Sequence, residues 1–298
     1  MKYRIYLLSI LFFLLTCKTK EVKDAPYSNW GNIVLPDKTP LDFKPELVAQ
    51  DQLIHRAIFS PDFKQFYYTT SNKDFSNFTV HSIEINNGQW SEPQEAFFNS
   101  SYDDHGMSFS PDGNTIYFSS TRPTNHPDVP NTWHLWQTKK INGKWQEAEW
   151  IDIPKLRSQL VSHPSVTQFG RLYFHVSTLD YDEMQLYYAD QVDGKFVEAK
   201  PVSLPTKNLY NKCTPFISPH ESYLIYAEIE EQLELMICTR DENGFWTPPK
   251  KLNTKINYIG QGNPFVTIDQ QFLFFTTGTH ALNQWNIKWV RMEGIVAN

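Results

Sequence analysis

The chain is short of the residues that build most sequence-local catalytic and metal centres. Cysteine occurs three times in 298 residues, and neither cysteine nor histidine recurs at a metal-motif spacing. No Gly-x-Ser-x-Gly elbow and no glycine-rich phosphate loop occurs, which excludes those local forms of acyl-transfer and nucleotide chemistry. Basic charge is also lacking: 27 Lys and Arg stand against 33 Asp and Glu, interspersed, for a net charge of −6. Without a basic stripe to neutralise a phosphate backbone, nucleic acid is not expected as a partner. The apolar run Ile5 to Leu15 is too short for a comfortable membrane span. Glycine is limited to 12 residues, whereas aromatics make up 15% of the chain, ample material for one large core with no second domain.

What is present is a repeat. Five times a short apolar run passes through a Ser-Pro-Asp-Gly-type turn into an aromatic run, most clearly at Phe109-Ser110-Pro111-Asp112-Gly113-Asn114-Thr115-Ile116-Tyr117-Phe118. Its relatives begin at Phe59, Val166, Ile217 and Val266, at intervals of 50, 57, 51 and 49 residues, and periods of this size mark repeat architectures. Pro111 presets the first corner of the turn, and Gly113 accepts the left-handed conformation that closes a hairpin. A second hairpin signal follows as Gly88-Gln89-Trp90, Gly143-Lys144-Trp145, Gly194-Lys195-Phe196 and Gly244-Phe245-Trp246. Two hairpins in about fifty residues make a four-stranded antiparallel sheet, the blade of a β-propeller. In the second repeat, strands are predicted near Met107–Pro111, Thr115–Ser119, Trp133–Lys140 and Glu147–Ile153.

The fold class is therefore all-β, a single propeller of five four-stranded blades. Six is the alternative count, but a sixth blade would need about fifty residues that are not found. The long interval after Phe109 is explained by the Pro- and Asn-rich loop Arg122 to Asn131. The fifth repeat ends without a fourth strand, and Phe43 to Ala49 is predicted to supply it, closing the ring and removing exposed edges. Aromatic second strands (Tyr67-Tyr68, Tyr117-Phe118, Tyr173-Phe174, Ile225-Tyr226, Phe274-Phe275) should alternate between faces and fill the gaps between sheets. Cys213 and Cys238 fall in one blade with a strand between them and read as free, buried thiols.

Lys2 and Arg4, the apolar stretch and Leu14-Leu15-Thr16-Cys17 follow in the order of an export signal. The ending resembles the bacterial lipoprotein signal, in which cleavage leaves an acylated cysteine, here Cys17. Thr16 stands where that pattern has Gly, Ala or Ser. An ordinary secretory signal that happens to contain Cys17 is the alternative. Residues 1–17 are read as the signal, 18–26 as a polar tether, and 27–298 as the propeller domain. The absence of an acidic residue directly after Cys17 implies, by the same resemblance, the outer membrane.

The segments Phe109-Ser110-Pro111-Asp112-Gly113 and Ile116-Tyr117-Phe118, with weaker copies at Pro61-Asp62 and Pro219-His220, resemble the WD-like propeller repeats of TolB-like proteins. The likeness spans about residues 40 to 292. With Cys17 it is similar to propeller lipoproteins of Bacteroidetes-type bacteria. Such groups include binding scaffolds, partners of envelope complexes and, more distantly, lyases acting on pectic sugars, so the likeness implies a fold without choosing a chemistry.

Propeller topology puts the Ser-Pro-Asp-Gly and Gly-x-Trp turns on one face and the loops leading into each first strand on the other, around the channel mouth. Aligning those first strands gives His55-Arg56, His105-Gly106, Ser162-His163, Cys213-Thr214 and Gly262-Asn263. His55, His105 and His163 are the candidate ligand or metal residues, with Arg56 and Asp104 as neighbours. Asp103, His126 and Asp128 should share this face. Imidazoles and carboxylates there could hold a divalent metal, bind an acidic ligand or serve as a base, or they could form a polar rim around water. His81, His134 and His175 read as packing or surface residues, and His220 lies on the turn face. The expected role is that of an exported, lipid-anchored monomer that binds an envelope protein or an extracellular carbohydrate and needs no cofactor. The rival is a metal-assisted sugar lyase or hydrolase.

Overall fold

The computed structural model describes residues 27, 30–47, 51–279 and 284–295. The signal, the tether and Cys17 lie outside these residues, as does His280. Five antiparallel sheets follow one another along the chain. Blade one runs from Gln52 to Glu95, blade two from Asp104 to Trp150, blade three from Leu160 to Pro201 and blade four from Lys212 to Lys251. Blade five takes three strands from Gln261 to Arg291 and its outer strand from Leu41–Asp42. This is the five-bladed, ring-closed propeller that the repeat implied.

The turn that marks each repeat has a mechanical basis broader than its proline and glycine. In every copy a hydroxyl at the first turn position accepts an N–H at the entry to the second strand: Ser60 from Gln65 (2.9 Å), Ser110 from Thr115 (2.9 Å), Thr167 from Arg171 (3.1 Å), Ser218 from Tyr223 (3.0 Å) and Thr267 from Phe272 (3.1 Å). The left-handed corner is Gly113 in blade two, while Phe63, Glu221 and Gln270 adopt it in blades one, four and five. The drifted third and fifth copies thus keep the hydroxyl that satisfies the turn backbone.

Second-strand side chains alternate as expected. Phe66 and Tyr68 pack toward blade five while Tyr67 packs toward blade two. Tyr117 faces blade three, and Ile116 and Phe118 face blade one. The same alternation builds five aromatic and aliphatic layers, one between each pair of neighbouring blades, and these close the ring. Cys213 and Cys238 are free and buried in blade four.

The closing strand differs from its predicted position. Leu41 pairs with Trp289 and Asp42 with Lys288, and Phe43 N–H donates to Ile287 O at 2.9 Å. Pairing stops there because Lys44 turns left-handed (φ 46°) and Pro45, which has no N–H to give, begins a single 3₁₀ turn through Leu47. Residues 48 and 49 of the predicted strand lie outside the described residues. The outer strands of blades one and two are each broken into two short pieces, in blade one around Pro93, which cannot donate to the ladder.

Candidate ligand well at the channel mouth

The innermost strand of all five blades carries a bulge at one level. The register shifts between Ile54 and Ala57, His105 and Ser108, Ser162 and Ser165, Cys213 and Phe216, and Gly262 and Phe265. At this level Gly106, His163, Thr214 and Asn263 are left-handed, with φ of 62°, 57°, 47° and 53°. Bulges re-aim side chains, and three of these four residues are not glycine, a conformation that costs on the order of 1 kcal/mol or more at each. Arg56 holds the corresponding place in blade one. Gly106 is required as glycine: a Cβ there would meet His163 Cα and Ser119 Oγ at 3.3 Å. The missing side chain is what lets the His163 backbone pass.

The structure joins two of the three predicted histidines and adds a fourth. His105 and His163 meet edge to face at 4.4 Å between ring centres, and His163 stacks on His175 at 5.0 Å. Ser162 Oγ lies 3.1 Å from both His105 Nε2 and His163 Nδ1 and donates to Ser119 Oγ at 3.0 Å. His55 stands apart. Its Nε2 is 2.8 Å from Ser71 Oγ, and Phe78 lies between it and His105, with ring centres 4.9 and 5.2 Å away. Among the described residues no group of three or more His, Cys, Asp or Glu side chains is arranged to hold a metal ion.

Asp104 is not a mouth residue. Strand alternation turns it away from the His105 side; it is fully buried, and its carboxylate accepts from Arg122 Nη2 (2.7 Å), Ser100 N (2.6 Å) and Ser100 Oγ (2.8 Å). It anchors the loop leading into blade two. Asp103 lines the mouth, but its Oδ1 accepts from Phe78 N at 2.8 Å. His126 sits on the inserted loop beside Trp150 at the periphery, its Nδ1 accepting from Asp128 N at 3.3 Å.

Burial keeps the imidazoles neutral. It lowers the pKa of His55 to about 3 and of His175 to about 4. His105 and His163 are also held well below the usual imidazole range, first by burial and then by neighbouring positive charge, including Arg56. At neutral pH these rings are polar, uncharged hydrogen-bonding groups and weak bases.

Above them opens a cavity of about 480 Å³, whose lining includes His105, His163, His175, Trp133, Trp285 and Met184. A second cavity of about 570 Å³ adjoins it, sharing His105, Trp133 and Tyr181 and adding Phe75 and Phe78. Trp133 lies 4.1 Å from His105 between ring centres, and Trp285 lies 5.4 Å from His55. The far end of the channel narrows to about 50 Å³ among residues of all five blades, with Phe109, Phe216 and Phe265 in the constriction. The channel is thus a well, wide at the histidine end. A larger hollow of about 860 Å³ lies on the turn face around His220, Tyr223 and Gln270. Its lining is set largely by turn residues, so the histidine end remains the better candidate, with aromatic walls over convergent polar groups.

The aromatic wall is what the sequence reading missed. Phe78, Trp133, Met184 and Gln232 directly precede the third strands of blades one to four, and Trp285 lies at the start of that strand in blade five. Aligning third strands as well as first strands would have exposed a mostly apolar position recurring beside the mouth. His175 was missed because it sits on a second strand, opposite Ser162.

Fold and site together define a five-bladed β-propeller with an aromatic-walled well at one mouth. No family model and no curated protein matches the sequence. Solved structures do match. A protein described as TolB from Agrobacterium tumefaciens is 12% identical, with 82% of this chain and 78% of that one covered and a TM-score of 0.52. A thermostable family-43 glycoside hydrolase is 14% identical, with 80% and 89% covered and a TM-score of 0.51. TolB from Acinetobacter baumannii is 12% identical with a TM-score of 0.48; the match covers 79% of this chain and about half, 54%, of that one. At these identities the likeness establishes the propeller fold.

Proposed function

We propose that the protein is a carbohydrate-binding propeller, exported and held at the cell envelope by an acylated Cys17, and that the well is its binding site. One observation carries the reading: Trp133 and Trp285 stand over a floor of neutral, hydrogen-bonding imidazoles and hydroxyls. Sugar rings have apolar faces that lie against aromatic planes and hydroxyl edges that exchange hydrogen bonds with groups such as His163 and His175, which line the well.

Binding fits better than hydrolysis. Glycoside hydrolysis usually takes a pair of carboxyl groups across the bond, and the carboxylates lining the two mouth cavities are Glu231 in one and Asp103, already bonded to Phe78 N, in the other. The role requires no cofactor and suits a monomer. An envelope protein seated on the same face is the other occupant to test.

A glycan-array screen of the purified soluble domain, followed by calorimetry with the best hit, tests the proposal. Trp133→Ala should weaken binding at least tenfold while leaving the circular dichroism unchanged. A hit bound equally by the folded variant would remove the well from the account. Cys17→Ser should move the full-length protein out of the membrane fraction, since several acyl chains, each methylene contributing about 0.8 kcal/mol, hold where one chain does not; unchanged retention would rule the anchor out.

A further inference from the structure

Arg56 sits in the channel below the well as an unanswered charge. It is 1% exposed, and its Nε and Nη1 have no hydrogen-bond partner among the described residues. Arginine does not give up its proton in proteins, and an isolated buried charge is strongly penalised unless an opposite charge meets it. It stands on the innermost strand of blade one within the bulge between Ile54 and Ala57, the level at which Gly106, His163, Thr214 and Asn263 stand in the other four blades. The carboxylates buried near the same mouth are committed elsewhere, Asp104 to Arg122 and Glu228 to Lys212. At the same level Asn263 Oδ1 is buried and also without a partner. His55, His105, His163 and His175, which face this region, are neutral and cannot balance the guanidinium.

We propose that the channel binds a small monovalent inorganic anion, of the halide kind, against the guanidinium of Arg56, with a water bridging to Asn263 Oδ1. The ion answers the buried charge and ties blade one to the opposing bulges at the axis, so it is a structural ion independent of any ligand in the well.

The test compares melting of the soluble domain in sodium chloride and in sodium methanesulfonate, whose anion is larger than a halide and is no sugar, at equal ionic strength. Chloride should raise the melting temperature saturably, by roughly 5 °C at a hundred times its dissociation constant, and Arg56→Met should lose the difference between the two salts. A bromide-soaked crystal of the unaltered domain is the second measurement, independent of whether that variant folds, and should show an anomalous peak within hydrogen-bond distance of Arg56. The absence of that peak overturns the proposal, as does a chloride effect that persists in folded Arg56→Met.

Discussion

Removing one side chain should open the ring. Phe43, 1% exposed, lies where the N-terminal strand meets blades one and five, with ring centres 5.2 Å from Phe66, 5.0 Å from Phe274 and 5.2 Å from Trp289. Its walls are themselves fixed: Trp30 stacks on Phe59 at 4.2 Å, and sheets on both sides are hydrogen-bonded into their blades. Phe43→Ala therefore loses the transfer free energy of a buried aromatic, about 1.5–3 kcal/mol, plus the cavity that these walls cannot fill, for about 3–5 kcal/mol in all. At about 2–4 °C per kcal/mol this lowers the melting temperature by roughly 10 °C. Leu41→Ala, in the same strand but 37% exposed, should cost less than about 1 kcal/mol. Urea unfolding followed by circular dichroism separates the two. If Phe43→Ala loses no more stability than Leu41→Ala, the closing strand does not hold the ring and the reasoning fails.

Stability should fall as pH drops below about 6.5, the imidazole value of the unfolded chain. The mouth histidines have depressed folded values, about 3 for His55 and about 4 for His175, so the unfolded state binds the extra protons. The contribution is complete above pH 6.5 and is lost toward pH 4, at about 1.4 kcal/mol per unit for each such histidine. A urea midpoint that stays flat from pH 7 to 5 would contradict the burial of these rings. Gly106→Ala should destabilise by more than about 1 kcal/mol, because its φ of 62° is strained with a side chain and the new Cβ presses on His163; an unchanged melting temperature would show that the bulge can relax.

Much of this was legible because the repeat announces itself in short-range chemistry. A hydroxyl, a proline and a left-handed corner fix each hairpin within about ten residues, and the spacing of such turns fixes the blades. The closing strand was placed a few residues late because its aromatic residue, Phe43, was read as a beginning when it is the last residue to pair before Lys44 and Pro45 turn the chain. Asp104 was misread for a related reason: adjacency to His105 in sequence means opposition across a strand. The bulges left a weak mark. Gly106, Asn263 and His163 are residue types that accept positive φ, but Thr214 is not, and only the pairing of the neighbouring strand reveals which residues are re-aimed. His175 joins the site through a partner strand, a relation no single segment encodes.

The well itself can be interrogated by labelling the nine tryptophans with 5-fluorotryptophan and titrating the domain with the oligosaccharide that binds best. The account predicts saturable shifts of the Trp133 and Trp285 resonances, assigned by single substitution, with the Trp246 signal between blades three and four unmoved. Shifts confined to Trp246 or to the outer-strand Trp145, with Trp133 and Trp285 unchanged at saturation, would contradict it.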